Sequence, residues 1–316
     1  MSDRYLVGDI GATNARFALG SATGVGTTTT LATGEFGSAT ELIDAACHRL
    51  GIERFDEVCL AIAGRVSGGV AEITNGSLHF AEAEIAKHLD CDVRIVNDFF
   101  ALAHAVPIAT ALAEIGGRPS ADGVKALLGP GSGLGMSVLV PQDHGWLVVP
   151  SEGGHADLAP GSPLEREILG VLQQQHGHVC WETVLSGPGL VNLYQAVATV
   201  WGGSWDGSDE PLTAEQITGR GVTVEDPVCH QTLEIFFGLL GSAAGNLAVT
   251  VCATGGVYIG GGIVPGLSEF AKQSALRRRF EERGALTEMV RSIPLYVILD
   301  EAPGLLGALQ YLMHGR

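Results

Sequence analysis

Tyr5-Leu6-Val7-Gly8-Asp9-Ile10-Gly11-Ala12-Thr13-Asn14-Ala15-Arg16-Phe17-Ala18-Leu19 is the stretch on which the fold turns. Two short apolar runs flank a glycine-rich turn, the pattern of a β-hairpin. The pattern returns about 120 residues later, a spacing that marks an internal repeat. There Lys125-Ala126-Leu127-Leu128 leads through Gly129-Pro130-Gly131-Ser132-Gly133-Leu134-Gly135 into Met136-Ser137-Val138-Leu139-Val140. A third cluster, Gly255-Gly256-Val257-Tyr258-Ile259-Gly260-Gly261-Gly262, encloses a further strand.

Outward from the first hairpin the periods alternate. Ser38-Ala39-Thr40-Glu41 has capping-box spacing ahead of a helix with Leu42, Ala45, Ala46 and Leu50 on one face. A strand is expected over 58–63, a helix over 82–89, and a strand over 93–96 that runs into Asn97-Asp98 and a helix from Phe99. The order β-β-α-β-α-β-α predicts an α/β layered protein. A Gly- and Pro-punctuated region over 107–123 reads as the crossover to a second domain. Near the end, a strand over 294–299 precedes a helix over 303–313, expected to turn Leu305, Leu306, Leu309 and Leu312 inward against the N-terminal domain.

Composition narrows the function. The chain has 316 residues, 45 of them glycine, about twice the usual share. Eighteen Lys and Arg against 35 Asp and Glu give a net charge of −17, which repels phosphate backbones and anionic lipid heads. Neither nucleic acid nor a membrane is therefore expected as a partner. Arg277-Arg278-Arg279 is the one basic run and reads as a solvated helix face. Cys47, Cys59, Cys91, Cys180, Cys229 and Cys252 show no CxxC spacing and read as reduced core residues of a cytoplasmic protein. No basic-then-apolar leader precedes the first strand. The apolar stretch over 235–252 holds Gly241-x-x-x-Gly245 and Asn246, and reads as a buried, closely packed helix.

The glycine loops lack the lysine of a P-loop, and no Gly-Lys pair occurs anywhere. GxGxxG fails too, because Met136 stands where the third glycine is required. What remains is a pair of turns whose backbone N–H groups are suited to anions. Asp9 sits in the first of them, and a carboxylate beside a phosphate needs a cation between, such as Mg²⁺ held through water. A single such turn is equally well a tight hairpin with glycines relieving strain. Two at matching positions favour the binding reading.

The segment from Leu6 to Arg16 resembles the first phosphate motif of the zinc-free bacterial glucokinase family, within the actin/hexokinase-like ATPase superfamily. The second turn looks like that family's second phosphate loop, and Gly260-Gly261-Gly262-Ile263-Val264-Pro265 like its adenosine-side loop. Further matches are Ile95-Val96-Asn97-Asp98-Phe99, Glu152-Gly153-Gly154-His155 and Glu182-Thr183-Val184-Leu185-Ser186-Gly187-Pro188-Gly189, in family order along nearly the whole chain. Ala12 stands where glycine is common, and Ser132 where threonine is common. The cysteine-rich zinc motif of the related repressor and sugar-kinase branch is missing.

The resemblance implies an α/β, two-domain actin/hexokinase-like (ribonuclease H-like) fold with the active site in the interdomain cleft. Residues 1–106 with 303–316 would form the small domain and 107–302 the large one. It further implies a glucokinase, an ATP:glucose 6-phosphotransferase at the entry to glycolysis, cytoplasmic and homodimeric, with ATP and Mg²⁺ as cofactors. Asp98 would be the catalytic base, and Asn75, Asn97, Asp98, Glu152, His155 and Glu182 would bind the sugar. Gly8, Asp9, Gly11, Ala12, Thr13, Asn14, Gly131, Ser132, Gly133, Gly261 and Gly262 would bind the nucleotide, with Asp9 holding Mg²⁺ through water. Taken alone, Asn97-Asp98 is an ordinary helix cap, and Glu152, His155 and Glu182 are solvated surface groups. The competing functions are a kinase for mannose, fructose or an N-acetylhexosamine, a sugar-responsive regulator without turnover, and an actin-like ATPase.

Overall fold

The opening hairpin forms as its alternation requires. β1 (Tyr5–Ile10) pairs antiparallel with β2 (Asn14–Ser21), Asp9 opposite Arg16, and the turn closes through Gly11 N–H donating to Asn14 O at 2.9 Å. The computed structural model describes residues 4–73, 76, 78–119, 123–202 and 212–314. The chain divides into two compact units. Unit 1 takes the chain up to Thr110, Gln142–Val148 and the chain from Asp300; unit 2 takes Ala111–Pro141 and Val149–Leu299.

In unit 1, β3 (Gly24–Ala32) extends the hairpin, and α1 (Ala39–Leu50) follows with Ser38 Oγ accepting from Glu41 N–H. β4 (Glu57–Ile62) lies parallel to β1. A small antiparallel meander of β5 (Gly64–Ser67), β6 (Val70–Ile73) and β7 (His79–Ala81) precedes α2 (Glu82–Leu89). β8 (Asp92–Asn97) then pairs parallel with β4 and opens directly into α3 (Asp98–Ala105). The main sheet runs β3-β2-β1-β4-β8. Its central strands β1 and β4 bury both faces, so successive residues serve different cores. Leu6 and Ile10 pack with Phe17, Leu42, Leu60 and Phe80, while Val7 between them packs with Ala18, Cys59 and Ala61 on the other face.

Unit 2 repeats the plan. The elements from Leu112 on are β9 (Leu112–Gly116), β10 (Lys125–Pro130), β11 (Leu134–Gln142), β12 (Gly145–Ser151, its residues up to Val148 counted with unit 1), α4 (Pro163–His176), α5 (Gly187–Val200), α6 (Ala214–Val222) and α7 (Pro227–Val251). After these come β13 (Gly256–Ile259), three short helices α8 (Ser268–Gln273), α9 (Leu276–Glu281) and α10 (Thr287–Ser292), and β14 (Leu295–Ile298). Its sheet runs β12-β11-β10-β13-β14-β9. β10 pairs antiparallel with β11 and parallel with β13, as β1 does with β2 and β4. The repeat read in two hairpins thus extends to a five-strand order, with β9 added at one edge.

α7 is the buried helix expected from its apolar stretch. A side chain at Gly241 or Gly245 would run into the Leu276 or Phe280 carbonyl, so the two glycines let α9 cross at backbone contact. That crossing overturns the reading of the arginine run as a solvated face. Arg279 is 8% exposed and pairs with buried Glu165 through Nη1–Oε1 at 3.0 Å and Nη2–Oε2 at 3.1 Å, its Nη2 also donating to Ser242 Oγ at 2.7 Å. Arg277 donates to Glu281 and to the Ile293 and Arg291 carbonyls, which leaves Arg278 as the solvated member. The cysteine reading also needs correction: Cys59 and Cys229 are core, Cys47, Cys91 and Cys180 are half-buried, and Cys252 is exposed. β3, β5 to β7, β9 and β12 are further strands that the sequence pattern does not show.

The final helix, α11 (Pro303–His314), belongs to unit 1. Leu305, Ala308, Leu309 and Leu312 cover the face carrying Val7, Cys59 and Ala61, while Leu306 is only half-buried.

Candidate active site

Unit 1 brings its predicted residues to the carboxyl ends of β1 and β8. Gly8 is buried in β1, where a methyl group would stand 2.9 Å from both Leu60 and Phe17 side-chain atoms. Gly11, Ala12, Thr13 and Asn14 form the turn, fixed by Thr33 Oγ1 donating to Gly11 O at 3.0 Å and Thr33 N–H to Thr13 O at 3.0 Å. Asp9 has its carboxyl raised above the ordinary range by burial, an effect only partly offset by the Arg16 guanidinium. α11 seats its first turn against that carboxylate: a methyl group at Gly304 would stand 2.6 Å from Asp9 Oδ2. Gly304 was not among the expected site residues. Its signal in the sequence is a glycine at the second position of a helix, where only close approach justifies one.

At the β8–α3 junction, Asn97 is the cap. Its Oδ1 accepts from Phe99 N–H at 2.9 Å and Phe100 N–H at 3.2 Å, and its Nδ2 donates to Gly64 O at 3.1 Å. An amide NH₂ has two protons, and the second bonds the Asp98 carboxyl. Asp98 occupies the first helical position, with Oδ1 accepting from Phe99 N–H at 2.9 Å. Burial pushes its carboxyl up to about 7, the Asp9 charge pushes the same way, and the bonds from backbone N–H and Asn97 oppose both. Asn75 lies outside the described residues.

Unit 2 assembles a second group. The turn from β10 to β11 is closed by Gly131 N–H donating to Gly133 O at 2.8 Å, and leaves Ser132 exposed. Beside it the β13 loop passes at backbone contact: Gly260 N–H donates to Leu128 O at 2.9 Å, and Gly261 turns at φ +83° against the Pro130 carbonyl. The structure thus brings Gly131, Ser132 and Gly133 together with Gly261 and Gly262.

Glu152 and His155 flank a single turn in which His155 N–H donates to Glu152 O at 3.0 Å. Its Gly154 lies against the Leu134 carbonyl, where no side chain fits. Trp181 is buried and its N–H donates to Ala156 O at 3.0 Å, which binds the segment carrying Glu182 to the segment carrying His155. Glu182 Oε2 accepts from Leu134 N–H at 2.7 Å. His155 Nδ1 lies 3.9 Å from Cys180 Sγ, which in turn lies 3.4 Å from Thr183 Oγ1. The Cys180 bond raises the His155 imidazole above its ordinary value; burial opposes this, and the charges of Glu182, Cys180 and Glu152 reinforce it. The Cys180 thiol is held low: burial raises it, and the bonds from Thr183, His155 and the backbone outweigh burial. Cys180 was read as plain core, and only its neighbours in space reveal otherwise.

Chemically, unit 1 offers a carboxyl poised near neutrality, and unit 2 offers two carboxylates and an imidazole with the directionality that sugar hydroxyls need. Among the described residues no three His, Cys, Asp or Glu side chains gather to hold a metal by themselves. Asp9 beside Asp98 nevertheless suits a hydrated Mg²⁺, which keeps most of its ligands from water and phosphate.

Comparison with known proteins agrees with this chemistry. The family profile described as Glucokinase matches residues 6–315. The glucokinase of Chromobacterium violaceum is 40% identical over 313 residues, covering 97% of this chain and 88% of that protein. The glucokinase of Saccharophagus degradans is 39% identical over 319 residues, with 98% of each covered. A crystal structure of glucokinase from an Antarctic psychrotroph superposes with a TM-score of 0.86 at 34% identity, over 98% of this chain and 99% of that one. The actin/hexokinase-like α/β fold is thereby shown.

Proposed function

The chain belongs to the glucokinase family, and from that premise we propose that Asp98 is the general base when the O6 hydroxyl of D-glucose attacks the γ-phosphoryl group of ATP. The observation that carries the assignment is the Asp98 carboxyl, pushed up to about 7 at the end of β8. A base with that affinity for protons is half ionised at neutral pH and can accept a proton as the hydroxyl reacts. The transition state of phosphoryl transfer is loose, so the proton leaves late and a moderate base suffices.

Glu152, His155 and Glu182 hold the sugar hydroxyls, with Asn97 and Asn75 as further contacts. The phosphates of ATP rest on the backbone of the Gly8–Asn14 turn and of Gly131, Ser132 and Gly133, with Gly261 and Gly262 on the adenosine side. Asp9 holds Mg²⁺ through water. When bound, Mg²⁺ neutralises phosphate charge that the acidic surface would otherwise repel. The reaction runs in the cytoplasm and the active form is a homodimer, a state that light scattering of the pure protein would establish.

The test is a coupled assay with Mg·ATP and a panel of hexoses, run on wild type and Asp98→Asn. Wild type should lead with glucose in kcat/KM over mannose, fructose and N-acetylhexosamines. Asp98→Asn should bind glucose and lose about 10²–10⁴ in turnover. A variant as fast as wild type would remove Asp98 from the mechanism.

A further inference from the structure

The second glycine turn is gripped by a segment whose leading residue is proposed to hold sugar. Leu134 N–H donates to Glu182 Oε2 at 2.7 Å, and Gly187 N–H donates to Gly131 O at 2.8 Å. Both ends of the turn are therefore tied to residues 182–187. The fit is tightest at Gly133, where a methyl group would stand 2.5 Å from Glu182 Oε2 and 3.3 Å from its carboxyl carbon. The backbone of Gly133 lies outside the left-handed region, so its conformation would admit alanine. What a methyl group there would displace is the carboxylate. Gly131 differs: a methyl group there meets nothing nearer than Gly262 N at 3.8 Å.

We infer that Gly133 and the Leu134 N–H are positioning elements for the sugar, because they aim the Glu182 carboxylate. The inference rests on the reading of Glu182 as a sugar ligand. A carboxylate on a flexible stem samples many directions, and a charge-assisted bond from a fixed amide to one oxygen selects one of them. With Oε2 committed to Leu134, Oε1 is presented to a hydroxyl in a set orientation, and the ordering cost is met before the sugar arrives. One loop thereby serves both substrates. By linkage the effect is reciprocal: glucose that immobilises Glu182 also immobilises the turn that receives phosphate.

The experiment is calorimetric titration of glucose into the nucleotide-free, full-length protein. Gly133→Ala should raise the glucose Kd by about 10-fold or more, the scale of one charge-assisted hydrogen bond. Gly170→Ala, in α4 where a methyl group meets nothing within 4 Å, should leave glucose Kd within about twofold. If Glu182→Gln binds glucose as wild type does, the sugar assignment itself fails. If Glu182→Gln is weakened and folded Gly133→Ala is not, the positioning role is overturned and the assignment survives. Should Gly133→Ala not fold, the reciprocal measurement decides. Without sugar, Glu182→Ala should bind a non-hydrolysable ATP analogue several-fold more weakly, and an unchanged affinity would overturn the inference.

Discussion

Glu165 in unit 2 and Asp98 in unit 1 are both carboxylates withdrawn from water, and their surroundings differ in one respect. Glu165, 6% exposed, receives both arms of the Arg279 guanidinium and the Gly161 N–H at 2.6 Å. Asp98 has a second acid, Asp9, as the neighbour whose charge it feels, and its carboxyl is driven up to about 7. A paired buried acid locks α4, α7 and α9 together. An unpaired one is left balanced between protonation states, which is the condition general-base chemistry uses. The contrast teaches that burial alone does not mark a functional acid; what matters is whether a cation was supplied with it.

Removing the cation should have the largest effect. Arg279→Met leaves Glu165 buried without its partner and should destabilise the protein by about 3–5 kcal/mol, read as a shift in the urea midpoint at constant slope. The double change Arg279→Met with Glu165→Leu should recover most of that loss, since neither charge then remains.

Removing the second acid comes next. Asp9→Asn should reduce turnover by about 100-fold through weaker handling of phosphate charge. It should also move the acid limb of the pH–kcat profile to lower pH, because the Asp9 charge is one of the forces raising Asp98. An unmoved limb would mean that the limb does not report Asp98.

A smaller effect concerns stability. The folded carboxyl of Asp98, at about 7, lies above the ordinary value of 3.8, so the native state binds the proton more tightly than the unfolded chain. Stability therefore falls as pH rises from about 4 to 7, and the full cost of the buried charge persists above that window. Asp98→Asn should stabilise the protein at pH 8 and almost not at all at pH 4. Equal stabilisation at both pH values would contradict the placement of that charge.

Least in size is Cys180→Ala. It removes the bond that raises His155, so the pH dependence of the glucose KM should shift to lower pH with kcat almost unchanged. Cys180→Ser, which keeps an acceptor, should restore much of the original profile.

Features carried by adjacent residues were legible in the sequence. The hairpins, the strand that ends in Asn97-Asp98 and the helix over 82–89 depend on local period and turn chemistry, and they stand where expected. β3 escaped because its threonine-rich residues are mostly exposed, so no apolar alternation marks it and only pairing with β2 makes it a strand. The arginine run was misread because the partner of Arg279 lies 114 residues away. In the candidate site, resemblance names the candidate residues, whereas their mutual support is not legible. Glu182 meets Leu134 across 48 residues and His155 meets Cys180 across 25, distances over which spacing carries no information.

The seat of Asp9 against Gly304 has a consequence for how the protein is made. α11 supplies Leu305, Ala308 and Leu309 to the core that covers Val7 and Cys59. On the ribosome, the first strands of unit 1 emerge early and must wait, with that apolar face bare, while the whole of unit 2 is translated at about 5–20 residues per second. The nascent chain therefore holds an unfinished half-domain until α11 emerges. Asp9, in the first glycine turn's strand, stays without its Gly304 neighbour for that interval.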